Sequence, residues 1–408
     1  MTHLSGSEFK ISFGNVFFKI LPNDFKDDET VYNLGENIST DDHMEYSFID
    51  IKNLLNDIDH LNTIYCVNIP DDSKVFIKKD SEKQFMTNRL VLSHAIETED
   101  EILDLLRQSH QSGGTVDKWT GIYAICKNFM QILKFVYETT HKLDSILYLY
   151  TIEQQNFSVL EYLFENGCEW HALSCAHAAE RNYLDVLKWL HSHGCPWIDH
   201  SYDFLIPFVG YLPADTLATS KAAFNGHLDI MIYAHDNGCP WDAGTCLSAA
   251  AGGHLSVLKY LRDHGCDWNA DTTVHAAKSG HLEILEYCIN NDCLFTMEAV
   301  IVAAAKGHKH VLEWFKTRDY QFNEDVTANA AENGHLELLI WLRENDCPWN
   351  ENVCEFAASH GHFDVVKWSI ENGCPYDSSA CEAAADTNNI EILKWLYQHG
   401  CKCQGQFH

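Results

Sequence analysis

At 408 residues the chain is longer than a single hydrophobic core usually organises, so it holds either several domains or a quasi-one-dimensional array. Its 46% hydrophobic and 12% aromatic residues are those of a folded chain and exclude wholesale disorder. The 59 acidic against 28 basic residues leave a formal charge of −31, a field that repels phosphate backbones and anionic lipid, so neither nucleic acid nor a membrane is expected as partner.

In chain order, Met1–Gly6 lacks a basic stretch leading into an apolar one, and no apolar run reaches the roughly 18 residues that would span a bilayer. A soluble, cytoplasmic protein is expected. Sixteen cysteines without a signal peptide fit a reducing compartment better than a disulfide framework. Residues 1–89 read as a small α+β cap domain. Phe9–Ile20, Ile64–Ile69 and Lys74–Lys78 have strand character, and Pro70–Asp71–Asp72–Ser73 has the chemistry of a hairpin turn. Residues 90–116 read as one degenerate helical hairpin.

From 117 to 403 the chain repeats. Cys239, Cys266, Cys293, Tyr320, Cys347, Cys374 and Cys401 follow one another at 27 residues, as do Cys168 and Cys195, and the count gives ten units. Paired alanines share the register, at Ala222–Ala223, Ala276–Ala277, Ala303–Ala304, Ala330–Ala331 and Ala357–Ala358. So do the Gly-His pairs from Gly226–His227 to Gly361–His362. One unit, Asp242–Trp268, reads DAGTCLSAAAGGHLSVLKYLRDHGCDW. Thr245–Ala251 predicts a first helix stopped at Gly252–Gly253, and Leu255–His264 an amphipathic second helix closed by Gly265. A hairpin this short cannot bury its own apolar face, so hairpins must stack. Toward the N-terminus the pattern decays: Asp144–Trp170 loses Gly-His and both alanines, and Asp117–Leu143 keeps only its apolar spacing. Residues 404–408 are a tail.

The segments AAAGGHLSVLKYL and AAENGHLELLIWL resemble the core of the ankyrin repeat. The resemblance implies an all-α solenoid of stacked helix-turn-helix repeats, here of 27 residues where ankyrin repeats typically have 33. The shortfall lies between Trp268 and Thr272, where the projecting β-hairpin finger would stand, so the fingers should be reduced to tight turns. The usual Thr-Pro-Leu-His opening is also missing. Cys-Pro-Trp units with short fingers are similar to those in ankyrin proteins of giant amoeba-infecting viruses (mimivirus-like), and VNIPDDSKVFIKK resembles the region preceding their repeats.

Twelve of the cysteines fall at two repeat positions, eight at the Gly-Cys position, where glycine precedes six of them and aspartate two, and four in the first helix (Cys175, Cys246, Cys354, Cys381). Spread along a stack at the repeat period, they should not converge as a metal cluster or redox pair, and their expected role is packing. His399, Cys401, Cys403 and His408 are potential zinc ligands within ten residues, but two of them occupy ordinary repeat positions. No metal and no cofactor are expected. The histidines after glycine should make packing hydrogen bonds, and the periodic tryptophans should wedge between hairpins. No phosphate loop, nucleophile elbow or metalloprotease motif is present, so no enzyme is expected. A catalytic reading would place activity in residues 1–89.

Two departures from periodicity carry the functional expectation. Seventeen extra residues at 198–214, IDHSYDFLIPFVGYLPA, are strongly apolar, and Phe204, Phe208 and Tyr211 either plug the stack or anchor a partner. The pair after the alanines varies most: Glu180–Arg181, Phe224–Asn225, Lys278–Ser279, Glu332–Asn333 and Ser359–His360. In ankyrin proteins this first-helix end lines the concave binding face, so the resemblance implies these as contacts. The expected function is that of a monomeric protein-protein interaction scaffold with a protein partner. An adaptor for host ubiquitin ligase machinery is the alternative, although no F-box-like segment follows Cys403.

Overall fold

The computed structural model describes residues 98–197 and 217–401, and before them the course of strands between His3 and Ile96. The chain divides into two compact units, Met1–Ser174 and Cys175–His408.

In the first unit, eight strands, among them β1 (His3–Ser5), β5 (Gly35–Ile38), β6 (Tyr46–Asp50), β9 (Phe85–Thr87) and β10 (Arg89–Ile96), form one antiparallel sheet in the order β1-β8-β9-β6-β2-β7-β10-β5. Strands β2 (Phe17–Leu21), β7 (Thr63–Asn68) and β8 (Lys74–Ile77) fall on the three expected segments. However, β7 pairs with β2 and β10, whereas β8 pairs with β1 and β9, so β7 and β8 do not form the expected hairpin. Turn chemistry marks where a chain can bend; it does not choose the strand's partner. The helical half of the expected α+β cap lies outside the described residues. The helical hairpin expected at 90–116 is also corrected: Arg89–Ile96 is strand β10, and a single helix follows, Glu99–Gln111. The short apolar run LVLSHAI suits either element, and Thr98, whose hydroxyl accepts from the Glu101 amide, sets where the helix begins.

Two helix pairs complete this unit, Lys118–Lys127 with Met130–Thr140 and Leu147–Glu153 with Phe157–Glu165. Asp117 and Asn156 accept backbone N–H bonds at helix starts. The Glu99 carboxylate accepts from the amides of Gln131 and Ile132, tying the lone helix to the start of Met130–Thr140.

The second unit is an all-α solenoid of stacked helix-turn-helix repeats, and the hairpin 243–263 shows how the sequence builds each one. Asp242 caps the helix Ala243–Gly252, with its carboxylate on the Gly244 amide and the Thr245 hydroxyl returning to the Asp242 amide. Gly253 ends that helix in the left-handed region at φ 85°. The second helix, Leu255–Asp263, ends where Gly265 turns left-handed and the Cys266 amide reaches back to the Leu261 carbonyl at 2.9 Å. Where a repeat lacks glycine, Asn182, Asp292, Asp319, Asp346 or Asn388 takes the same conformation, the short polar residues that tolerate it best.

First helices pack on the first helices of neighbouring hairpins. All five alanine pairs are fully buried there, since a bulkier side chain would hold the backbones apart. The second helices add an outer layer, with Val257, Leu258 and Leu261 and their equivalents turned inward. The described connections between hairpins contain no strand, consistent with fingers cut to turns.

Candidate recognition face

The Gly-His pair is the joint between hairpins. Nε2 of His227, His308, His335 and His362 lies 3.1, 2.9, 3.1 and 2.9 Å from the carbonyls of Glu180, Lys278, Ala305 and Glu332, each at the end of the preceding first helix. Asn389 does the same to Ala358 at 2.9 Å. From Gly226 to Gly334 each glycine lies under the next hairpin's imidazole, and Gly361 lies under Asn389: a Cβ on Gly226 would stand 2.4 Å from His254 Nδ1. Positive φ and this close approach together explain why glycine and histidine recur as a pair. Burial pulls the His254 and His308 imidazoles below the usual histidine value, so both favour the neutral form.

By tying the last turn of each first helix to its neighbour, this ladder lines up the variable residues that follow the alanines. Phe224 is 49% exposed, and Arg181, Lys278, Asn333 and His360 are exposed, while Glu180, Asn225, Ser279, Glu332 and Ser359 are half-buried. The structure brings two pairs of neighbours together. Glu180 meets Lys221 at 3.1 Å, and Glu332 Oε1 lies 3.9 Å from His360 Nε2. Lys221, on the turn before Phe224, was not expected; Lys306, exposed one repeat after Ser279, was likewise overlooked although the period points to it. Asn225 and Asn333 are held by their own helices, through Nδ2 on the carbonyls of Lys221 and Asn329. Phe204, Phe208 and Tyr211 lie outside the described residues, as do Cys403 and His408.

The cysteine reading needs correction. The first-helix cysteine and the post-glycine cysteine of one hairpin do meet: Cys175 and Cys195 have their sulfurs 3.5 Å apart, and Cys381 and Cys401 are joined as a disulfide. Repeat spacing separates hairpins from one another, but two positions 20 residues apart sit on facing parts of the same hairpin, the first helix and the turn after the second. His399, expected as a possible zinc ligand, stacks on Trp395 at 3.8 Å and faces its carbonyl.

The tryptophans that close hairpins are half-buried under basic or imidazole groups, with Arg262 over Trp268 and Arg343 over Trp349 at 4.2 Å, and His235 on Trp241 at 3.5 Å. Arg262 and Arg343 also donate to the carbonyls of Cys266 and Cys347. These rings therefore anchor the turns.

Two family models match inside the second unit: ankyrin repeats in three copies over residues 327–406 and an ankyrin repeat over residues 244–273. Those two stretches carry ankyrin repeats. A solved structure of the human ASB11 ankyrin repeat domain is similar over 40% of this chain and 86% of that one, at 19% identity and a TM-score of 0.33, a likeness too loose to carry an argument. No curated protein matches the chain. Ankyrin repeats generally mediate protein–protein interaction, and among the described residues no helix is long and apolar enough to cross a membrane.

Proposed function

We propose that this ankyrin array is a non-catalytic scaffold that holds a protein partner along the ends of its first helices. The observation that carries the reading is the division of labour in each hairpin. Glycine, histidine and alanines are given over to stacking, while the next two residues, held in line by the histidine ladder, change from hairpin to hairpin. A row with an apolar anchor at Phe224 and charges of both signs at Glu180, Lys221, Lys278, Lys306 and Glu332 suits a polypeptide better than a uniformly charged ligand. Phe208 and Tyr211 of the insertion are proposed as a second anchor. The resemblance to ankyrin proteins of amoeba-infecting viruses supports action in the host cytoplasm.

The test is site-specific photocrosslinking in the full chain, with a crosslinker at Ser279 or Asn333 and, as control, at the exposed Glu283 of a second helix. The first two should capture the same protein and the control should not, and Phe224→Ser with Lys278→Glu should abolish that capture in a still-folded chain. Capture from Glu283 alone would overturn the assignment. Ubiquitin ligase subunits co-purifying with the partner would make the scaffold an adaptor.

A further inference from the structure

From Cys195 onward, the residue 20 positions before the cysteine of each closing turn is threonine or cysteine, two chemistries that fasten the same two parts of a hairpin. Where it is threonine, its hydroxyl donates across the hairpin to the turn that follows the second helix: Thr219 to the Pro240 carbonyl at 2.9 Å, Thr273 to Leu294 at 2.9 Å, and Thr327 to Pro348 at 2.8 Å. Where it is cysteine, it faces a second cysteine on that turn. The pairs are Cys175–Cys195 with sulfurs 3.5 Å apart, Cys246–Cys266 and Cys354–Cys374 in side-chain hydrogen-bond contact, and Cys381–Cys401, joined with Cα atoms 6.7 Å apart. All eight sulfur-bearing residues are buried. Cys239 and Cys347 have Thr219 and Thr327 at the first position and so no cysteine opposite at that spacing.

We propose that these four cysteine pairs are redox-modification sites, each a buried dithiol that a small-molecule disulfide converts into a covalent staple between the first helix and the closing turn of its hairpin. The thiolate of the turn cysteine attacks one sulfur of the small disulfide, breaks its S–S bond and expels one small thiol. The first-helix cysteine then attacks the protein-side sulfur of that mixed disulfide and expels the second. Two protein thiols are oxidised, one small disulfide is reduced to two thiols, and the two protons go with them. The reduced state is accommodated as well: Cys266 and Cys374 point their sulfurs at the carbonyls of Asp242 and Asn350, 3.1 and 3.4 Å away. A hairpin with threonine is thus fastened unconditionally, and a hairpin with two cysteines is fastened more tightly once oxidised. The hydrogen bond with the partner cysteine, followed by burial, holds the Cys246 and Cys374 thiols well above the usual thiol range, so exchange waits on local opening of the turn and is faster in alkali.

The experiment exposes fully reduced, folded full-length protein to oxidised glutathione, quenches it in acid and maps the linkages by alkylation and peptide mass spectrometry. The expected products are 175–195, 246–266, 354–374 and 381–401, with Cys239 and Cys347 left as thiols. Native-state proteolysis within a stapled hairpin should slow on the order of a hundredfold, the effect of closing a loop of about 20 residues. Cys246→Thr and Cys354→Thr, which install the residue used at 219, 273 and 327, should fold, lose only their own linkage and make proteolysis of that hairpin insensitive to oxidation. Glutathione adducts spread over Cys239 and Cys347 as readily as over the pairs would overturn the proposal. So would linkages other than these four, apart from 288–293, whose thiols are also in hydrogen-bond contact but join no first helix, or oxidation that leaves proteolysis unchanged.

Discussion

The two hairpins between Lys118 and Glu165 and those from Leu217 onward have the same helix-turn-helix form, yet almost none of the residues that define one group occur in the other. At the place of the second alanine of each pair the early hairpins bury Ile125 and Ile152. At the place of the left-handed glycine they have Asn128 and Gln155, at φ 58° and 49°. Histidine is replaced by Asn156, whose amide donates 2.8 Å to Asn128 Oδ1, and the threonine fastening by Tyr148, whose hydroxyl is 3.4 Å from the Cys168 carbonyl. The form therefore rests on three physical requirements, each with more than one chemical solution: a set spacing between first helices, one residue of positive φ, and a polar group reaching across the joint.

The sharpest way to break that comparison is at the glycine where two requirements coincide. Gly226 combines φ 76° with the His254 ring 2.4 Å from any Cβ, whereas Gly238 has φ 84° and nothing within 4 Å. Gly226→Ala should cost about 4 kcal/mol, the sum of left-handed strain and overpacking, and Gly238→Ala about 1 kcal/mol, from strain alone. Hydrogen exchange of the flanking hairpins measures both. Equal losses would mean that the histidine ring moves aside freely, and the joint would then not require glycine.

The alanine pairs sharpen it next. If each group is tuned to its own spacing, exchanging their residues should hurt in both directions. Ile152→Ala should open a cavity and cost about 3 kcal/mol, and Ala277→Ile should overpack the fully buried interface and cost about 2 kcal/mol. Proteolysis of the affected hairpin reads the change. A neutral Ala277→Ile would show the first-helix spacing to be adjustable.

These residues also mark how far the sequence could be read. Helix pairs, caps and the buried alanines repeat with the period, so one hairpin such as Asp242–Trp268 specifies the rest, and the variable row from Phe224 to His360 appears as what does not repeat. The cysteine pairs escaped because periodicity describes the direction of stacking, whereas Cys246 and Cys266 meet within one period, where only the hairpin's folding back brings them together. Strand β10 escaped because its eight residues have no repeat and too short an apolar pattern to separate strand from helix.

The smallest expected effect separates the two groups by pH. Burial lowers the His254 pKa from the usual histidine value of 6.5, with a lesser contribution from its neighbours His227 and His281, and the Phe224 carbonyl opposes the shift. His308 is lowered in the same way, with His310, His281 and His335 around it and the Lys278 carbonyl opposing. A lowered folded value means that the unfolded chain takes up the proton first as pH falls. The stabilisation is therefore complete above about 6.5, begins to be lost there and is gone below the folded value. Both rings are only half-buried, so the loss is modest. Between pH 7.5 and 5, exchange of the Val257–Leu261 amides, corrected for intrinsic rates, should accelerate, while that of Val159–Leu163, behind Asn156, should not follow this titration. His254→Asn, the residue that already serves this joint at Asn389, should remove the acceleration at 257–261 and keep the hairpin folded. An acceleration of equal size in that variant would assign the pH dependence to the surface carboxylates of the acidic array instead of to the histidine ladder.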